Sequence, residues 1–175
     1  MSHRIEVFRT QDAASYAASL FFRRFRQPFP VPQVNCGLSI PTPPENWRQY
    51  VAVYRAPGAA EETIGFCNWI RHGDAYLGGG LCVDETAYRR MDPEDFRYCR
   101  GRGGIAQMLI EHAAGELSDC SAWFAYVGDR KSMAVTLRSG YERTGHPYII
   151  ARWFKPLSVV EKQAMIDRIA AIGAF

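Results

Sequence analysis

The sequence predicts a mixed α/β fold, and three observations carry this prediction. Segments of strand length alternate along the chain with segments whose apolar residues recur at helical spacing. Between residues 47 and 83, three strand-like segments follow one another with only turn signals between them, which is typical of an antiparallel meander. Further along, a helix with a glycine-rich start lies between two strand-like segments, as in a β-α-β unit.

Size and composition are those of one globular domain. The chain has 175 residues, of which 47% are hydrophobic and 22% charged, enough for one core of its own. It contains no apolar run of bilayer length, and its first residues alternate like a strand rather than forming the apolar stretch of a signal peptide. Five scattered cysteines without a C-x-x-C pair argue against disulfides or structural zinc. We therefore expect a soluble, cytoplasmic protein without a metal.

The first elements are a strand, a helix and a long loop. Residues 4–9 alternate and predict a strand. Asp12 opens a helix with one predicted buried stripe, consisting of Ala13, Tyr16, Ala17, Leu20 and Phe21. Six prolines in residues 26–46 exclude regular structure there. The apolar residues between them favour an ordered surface loop, which either covers the core or serves function.

Three strands follow, and then polar residues lead to a helix. The strands are predicted at residues 50–54, 63–71 and 75–83, and the third is interrupted by glycines 78–80. Such glycines mark a bulge or the close approach of another backbone or a ligand. Asp92, followed by proline and two acids, predicts a short helix through Tyr98.

The densest glycine and arginine run then begins, and a helix starts inside it. The run is Arg100-Gly101-Arg102-Gly103-Gly104-Ile105-Ala106. Glycines let a backbone approach a ligand closely, arginines add positive charge, and the first N–H groups of a helix have no partner within it. The run therefore predicts an anion site. The helix continues through Leu117, with Ile105, Met108, Leu109 and Ala113 also on its buried face.

The last third of the chain predicts three strands and two helices. Residues 121–127 form an apolar run typical of a strand buried on both faces. A helix over residues 131–139 ends at Gly140, and strands follow at 141–144 and 148–154. Ser158 and Glu161 form a capping box for a helix through Ile172, with Met165, Ile166 and Ile169 on the same side. We divide the chain into a domain at 1–155 and this helix at 156–175, which docks on the domain or on a dimer partner.

Two motifs resemble those of the general N-acetyltransferase (GNAT) superfamily, which uses acetyl-coenzyme A. The family's pyrophosphate loop, R/Q-x-x-G-x-G/A, is similar to Gly101-x-x-Gly104-x-Ala106, with glycine at the Arg/Gln position. The family's N-x-x-A-x-x-x-Y-x-x-x-G-F is similar to Asp129-x-x-Ser132-x-x-x-Thr136-x-x-x-Gly140-Tyr141. The order of elements matches as far as Phe154.

The resemblance implies a sheet of about six to seven mostly antiparallel strands with a splayed central pair, and it implies acetyl transfer to an amine. The strand Leu81-Cys82-Val83 would bond the pantetheine arm, and the bulge would lie at glycines 78–80. The pyrophosphate would bind Arg100, Gly101, Arg102, Gly103, Gly104, Ile105 and Ala106. Asp129 and Ser132 would line the slot near the pantetheine. The acceptor would be a small-molecule or peptide amine.

The sequence departs from the family pattern at the position of the general acid, so the resemblance does not identify the catalytic groups. The family's frequent general acid is tyrosine, and Thr136 stands at its position, although a hydroxyl of such low acidity cannot replace it. The catalytic candidates are therefore Tyr126, Tyr141 and His146, with Tyr148 as a further one, and Thr136 could still donate a hydrogen bond or orient water. Proximity and water alone remain an alternative.

Four other interpretations stay open at this stage. One is a domain that binds acyl-CoA without turning it over, which the threonine at position 136 motivates. A dinucleotide site at Gly101-x-Gly103-x-x-Ala106 would require an early β-α-β unit, and this run comes late in the chain. The small net charge of +3 disfavours a third alternative, nucleic-acid binding by the arginines. The fourth concerns His112 and His146, which without a catalytic role are a packed or edge residue and a surface turn residue.

Overall fold

A computed structural model of the chain describes residues 4–29 and 44–175, so most of the proline-rich segment lies outside the described residues. The strands are β1 (Ile5–Thr10), β2 (Trp47–Tyr54), β3 (Glu62–His72), β4 (Ala75–Val83), β5 (Ala122–Tyr126), β6 (Glu142–Arg143) and β7 (Ile149–Trp153). The helices are α1 (Ala13–Phe25), α2 (Pro93–Gly101), α3 (Ile105–Glu116), α4 (Arg130–Arg138) and α5 (Val159–Ala170).

The strands form a mixed, mostly antiparallel sheet of seven strands, as the sequence predicts. Their order is β1-β2-β3-β4-β5-β7-β6. Antiparallel pairs join β1 to β2, β5 to β7 and β6 to β7. The parallel pair is β4 with β5, because α2 and α3 carry the chain between them. Its register runs from Ala75↔Ala122 to Gly78↔Ala125, so Leu81–Val83 lies beyond the last position at which β4 pairs with β5.

The described residues fall into two compact units. The first takes residues 4–29, 48–68 and 80–115, and the second takes residues 44–47, 69–79 and 116–175. Strands β3 and β4 run from one unit into the other.

In the first unit, α3 packs closely against β3. Its predicted apolar face is confirmed, since Ile105, Met108, Leu109 and Ala113 are all buried. A Cβ atom added to Gly65 of β3 would lie 2.7 Å from Ile105 and 2.9 Å from Leu109. Glycine at this position therefore allows the close packing of the helix on the strand.

The helix α5 packs on the core of the second unit. Its apolar residues Met165, Ile166 and Ile169 are buried in one cluster with β-strand residues such as Phe124 and Ile149. The predicted capping box is present: Ser158 Oγ accepts from Glu161 N, and a Glu161 carboxylate oxygen accepts from Ser158 N at 2.8 Å. The helix ends at Ala170, before Ile172, which still packs against the cluster.

Two local predictions were wrong. Tyr16 is 37% exposed and packs edge-on against Phe8, because α1 presents only Ala13, Ala17, Leu20 and Phe21 to the core. Glycines 78–80 do not interrupt β4, which continues through them to Val83. Gly80 has a positive φ of 154°, a backbone conformation that residues with a side chain rarely adopt. Across the described ranges, the helices are all too short or too polar to cross a membrane.

Candidate active site

The candidate anion loop of the first unit joins α2 to α3. The N-terminus of α2 is held by Asp92, whose carboxylate accepts from the N–H groups of Glu94 and Asp95. The buried Asp95 carboxylate in turn accepts from Arg4 Nε at 2.8 Å and from the Tyr54 hydroxyl at 3.2 Å. Burial, and then the hydrogen bond to Asp95, raise the pKa of Tyr54. These contacts tie α2 to β1 and β2 and so position the loop.

Two consecutive glycines turn the chain from α2 into α3. Gly103 has a φ of 82° and Gly104 a φ of 96°, conformations that other L-residues rarely adopt. The Gly103 N–H donates to Arg100 O at 3.0 Å, and the Gly104 N–H donates to Cys99 O at 2.9 Å. The Arg102 N–H likewise bonds carbonyls of α2. These three N–H groups of the loop therefore bond carbonyl groups at the end of α2.

The first N–H of α3 is bound by a residue that sequence reasoning missed. The Ile105 N–H donates to the Tyr88 hydroxyl at 3.0 Å. Burial raises the pKa of Tyr88, so the hydroxyl stays neutral. The Met108 N–H donates to Gly104 O, which is the first hydrogen bond of the helical ladder. Ala106 precedes Met108 in the first turn of the helix, whose N–H groups have no acceptor within an α-helix. The candidate anion loop thus combines backbone donors of the first turn of α3 with a tyrosine hydroxyl.

The two arginines of the loop have different surroundings. Arg102 Nη2 lies 3.2 Å from Glu111 Oε2, and Glu111 also accepts from Gln107 Nε2 at 2.8 Å. Arg102 therefore has a counter-charge on α3. Arg100 is exposed at the end of α2. Of the two side chains, Arg100 is the better placed to meet an external anion.

The predicted pantetheine strand carries a buried thiol. Cys82 is 2% exposed and belongs to the apolar cluster that α1 forms with β2 and β3, and burial raises its pKa to about 12. The thiol is therefore neutral at physiological pH and unsuited to nucleophilic attack. Its neighbours Leu81 and Val83 are half-buried.

In the second unit, Asp129 caps α4. Its carboxylate accepts from the N–H groups of Lys131 and Ser132, each at 2.9 Å. The Thr136 hydroxyl donates within its own helix, with Ser132 O at 2.9 Å and Met133 O at 3.1 Å. Asp129, Ser132 and Thr136 thus share one helix, and the described contacts of Asp129 and Thr136 stabilise that helix.

The aromatic candidates form two groups within the second unit. The ring of Tyr126 lies 5.4 Å from that of Tyr148 and 6.5 Å from that of His146. The Tyr148 N–H donates to His146 Nδ1 at 3.4 Å, an arrangement that favours the proton of a neutral imidazole on Nε2. Tyr141 is separate: it is buried, and its ring lies 6.4 Å from that of Trp123. Tyr126, His146 and Tyr148 are therefore one candidate cluster.

No cluster of potential metal ligands is found in the part of the chain that the structure describes. Residues 4–29 and 44–175 contain no group of three or more His, Cys, Asp or Glu side chains placed to hold a metal ion. The described cysteines, Cys67, Cys82, Cys99 and Cys120, are free and buried.

Comparison with solved structures identifies the fold. The ribosomal-protein-S18-alanine N-acetyltransferase from Escherichia coli superposes with a TM-score of 0.52 at 13% identity, covering 89% of this chain and 97% of that one. The chain has the GNAT fold. It matches no protein-family model, and no curated protein matches its sequence.

Other solved structures give weaker GNAT-like matches. A protein assigned to the GNAT family from Bacteroides thetaiotaomicron has a TM-score of 0.49 at 13% identity, over 98% of this chain and 99% of that one. An aminoglycoside N(6')-acetyltransferase from Legionella pneumophila has a TM-score of 0.49 at 12% identity, over 94% and 98%. At these identities the likeness concerns the GNAT fold alone, and the roles of individual residues rest on their own geometry.

Proposed function

We propose that this protein is an acyl-CoA-dependent N-acyltransferase of the GNAT type. The GNAT fold supports the general class of reaction, and the observation that carries the cofactor assignment is the loop from Arg100 to Ala106. There, two glycines with positive φ lead directly into the N-terminus of α3, beside an exposed arginine. The coenzyme A pyrophosphate would bind this loop, and the pantetheine arm would follow Leu81–Val83 of β4.

The reaction would be a direct transfer between two bound substrates. The amine nitrogen of the acceptor bonds to the acyl carbonyl carbon, the carbon–sulfur bond breaks, and the sulfur leaves as the coenzyme A thiolate. The proton lost by nitrogen neutralises the thiolate through solvent or a side chain. Tyr126, Tyr141 and His146 are the candidates for that side chain, with Tyr148 beside them; the protein's main contribution would be positioning.

A calorimetric titration with acetyl-CoA tests the first step. We expect saturable binding, and the absence of binding at millimolar acetyl-CoA would contradict the proposal. The second step is tested by thiol release on a panel of amines. The panel includes a peptide with an N-terminal alanine, because the E. coli protein of the same fold is named for that acceptor.

A non-catalytic acyl-CoA-binding module is the second candidate function. It is favoured by one observation: the Thr136 hydroxyl, at the position of the family's tyrosine, donates to carbonyl groups of its own helix. Saturable acetyl-CoA binding without thiol release on any amine would support this alternative, and turnover with one acceptor would exclude it. We place either function in the cytoplasm, a reducing compartment compatible with the four free described thiols.

A further inference from the structure

The carboxamide of Asn68 on β3 is buried, and no hydrogen-bond partner for it lies among residues 4–29 and 44–175. The residue is 1% exposed, and neither Oδ1 nor Nδ2 has a hydrogen-bond partner among the described residues. A buried polar group left unsatisfied costs about 1–3 kcal/mol, and native proteins contain few of them. An amide at this position therefore needs a reason other than the stability of the fold.

The surroundings of Asn68 place it next to the predicted pantetheine strand. Its Oδ1 atom lies 3.3 Å from the position that a Cβ atom would take on Gly80, and Phe21 Cε2 lies 3.8 Å from the same position. Gly80 has a φ of 154° and directly precedes Leu81–Val83. The absent side chain of Gly80 leaves the carboxamide beside the backbone of β4.

Further aromatic rings lie in the apolar cluster to which Phe21 belongs. The ring of Phe21 lies 5.5 Å from Phe29 and 6.2 Å from Phe66, and the rings of Phe29 and Phe66 are 4.9 Å apart. Phe66 precedes Asn68 by two residues on β3, so both side chains project from the same face of the strand. Asn68 thus places an amide on the strand face that also carries Phe66, and a few polar groups among apolar residues are the usual composition of a site for small ligands.

We propose that the Asn68 carboxamide is a substrate-binding group for acyl transfer, an inference that rests on the proposed function. Its Nδ2 donates a hydrogen bond to the acyl carbonyl oxygen, and its Oδ1 accepts one from the N–H of the attacking amine. The two substrates satisfy the two groups that the described residues leave unpaired. When nitrogen bonds to the carbonyl carbon and sulfur departs, negative charge develops on that oxygen, and the Nδ2 donor stabilises it.

The decisive test compares acetyl-CoA with coenzyme A, which lacks the acyl carbonyl. Calorimetry gives the dissociation constants of both for the wild type and for Asn68→Leu, a variant of similar size without the amide. We expect Asn68→Leu to bind coenzyme A within about 2-fold of the wild type. Its preference for acetyl-CoA over coenzyme A should fall by about 2–10-fold, the range that corresponds to one neutral hydrogen bond.

Thermal unfolding provides an independent readout. Asn68→Leu removes two buried polar atoms that have no partner in the described part of the chain, so we expect its Tm to equal or exceed that of the wild type. Asn68→Ala serves as a second variant that lacks the amide without adding branched bulk, and it should lose the same acetyl preference. Cys67→Ala, at the adjacent buried position of β3, is the matched control and should keep that preference.

The outcomes separate the two proposals. An unchanged acetyl preference in both Asn68 variants would overturn the assignment of Asn68. A lower Tm together with an equal loss of affinity for acetyl-CoA and for coenzyme A would also overturn it, because that result would show that Asn68 is a structural residue. A wild type that binds neither acetyl-CoA nor coenzyme A would instead overturn the proposed function.

Discussion

The hydroxyl of Tyr88 accepts a hydrogen bond from the backbone N–H of Ile105, the first residue of α3, at 3.0 Å. The same hydroxyl would lie 2.8 Å from a Cβ atom on Gly104. A side chain of the protein thus takes the first donor of a helix terminus that would otherwise face an anion. The relationship makes the Tyr88 hydroxyl a competitor of any phosphate that binds this donor.

Replacing Tyr88 with phenylalanine removes the competitor and keeps the ring. Without ligand, we expect the free energy of unfolding to fall by about 1 kcal/mol, because the Ile105 N–H loses its acceptor. Coenzyme A should then bind about 2–10-fold more tightly, since no hydroxyl has to be displaced. Denaturant unfolding and calorimetry measure the two effects. Weaker binding by Tyr88→Phe would show instead that the hydroxyl itself contacts the ligand.

Two glycines of the loop offer a matched pair of alanine substitutions. Gly104→Ala places a Cβ atom against the Tyr88 hydroxyl on a backbone with a φ of 96°, and we expect a loss of about 1–3 kcal/mol in stability. Gly101→Ala lies in α2 with no atom within 4 Å of the new Cβ, so it should stabilise the protein by up to about 1 kcal/mol. Thermal unfolding of both variants checks this contrast, and equal shifts would contradict it.

The two arginines should contribute unequally to coenzyme A binding. Arg100→Ala removes an exposed cation, and we expect affinity to fall by about 3–10-fold, more at low salt than at high salt. Arg102→Ala should have the smaller effect, because Arg102 pairs with Glu111.

Glu111→Gln tests that explanation directly. This substitution removes the counter-charge of Arg102, and it should raise the affinity for coenzyme A. Calorimetric titrations at two salt concentrations measure all three variants. If Arg102→Ala proves more damaging than Arg100→Ala, the ion pair does not withhold Arg102 from the ligand.

Substitutions at the catalytic candidates should separate helix contacts from proton transfer. Thr136→Val removes a hydroxyl that bonds only its own helix in the described contacts, and kcat should stay within about 3-fold of the wild type. Tyr126→Phe and His146→Gln alter the aromatic cluster. If either side chain is the general acid or base, its loss should lower kcat by about 10²–10⁴-fold. Thiol-release rates across a pH series measure these changes. A large loss in Thr136→Val with unchanged Tm would contradict the structural role.

The buried cysteines should resist modification until the protein unfolds. Burial raises the pKa to about 12 for Cys82 and to about 11 for both Cys99 and Cys120. We expect mass spectrometry after iodoacetamide treatment at pH 8 to find these thiols unlabelled in the folded protein and labelled in denaturant. Rapid labelling of any of them in the folded state would contradict this burial.

The same thiols predict the direction of a pH effect on stability. An exposed thiol in the unfolded chain has a pKa of about 8.5, so the unfolded state loses its protons first as the pH rises. The stabilising contribution of the neutral, buried thiols is complete below that value. It declines as the pH rises toward the folded-state values of about 11 to 12. Denaturant unfolding at several pH values between 8 and 11 measures the decline.

Much of the fold followed from local patterns. The N-caps at Asp92 and Ser158, the αL glycine at position 140 and the apolar face of α3 depend on residues within a few positions of one another, where helix periodicity and capping chemistry act. The glycine-arginine run was also recognisable locally, since glycine alone adopts the turns at 103 and 104 without strain. The roles of Asp129 and Ser132 remain predictions from resemblance, and Tyr126, Tyr141 and His146 remain candidates that follow from the departure at Thr136.

The sequence by itself determined the order of the elements, the mixed sheet and the location of the candidate anion loop, because each depends on short-range periodicity and turn chemistry. Only the tertiary structure brought Tyr88 to Ile105, Arg102 to Glu111 and Asn68 next to Gly80. Chain closure and packing set these contacts, and residue type alone does not specify which distant polar groups will meet. For that reason the sequence located the candidate loop. The fold decided which N–H groups of that loop already have an acceptor, and which buried amide has no partner among the described residues.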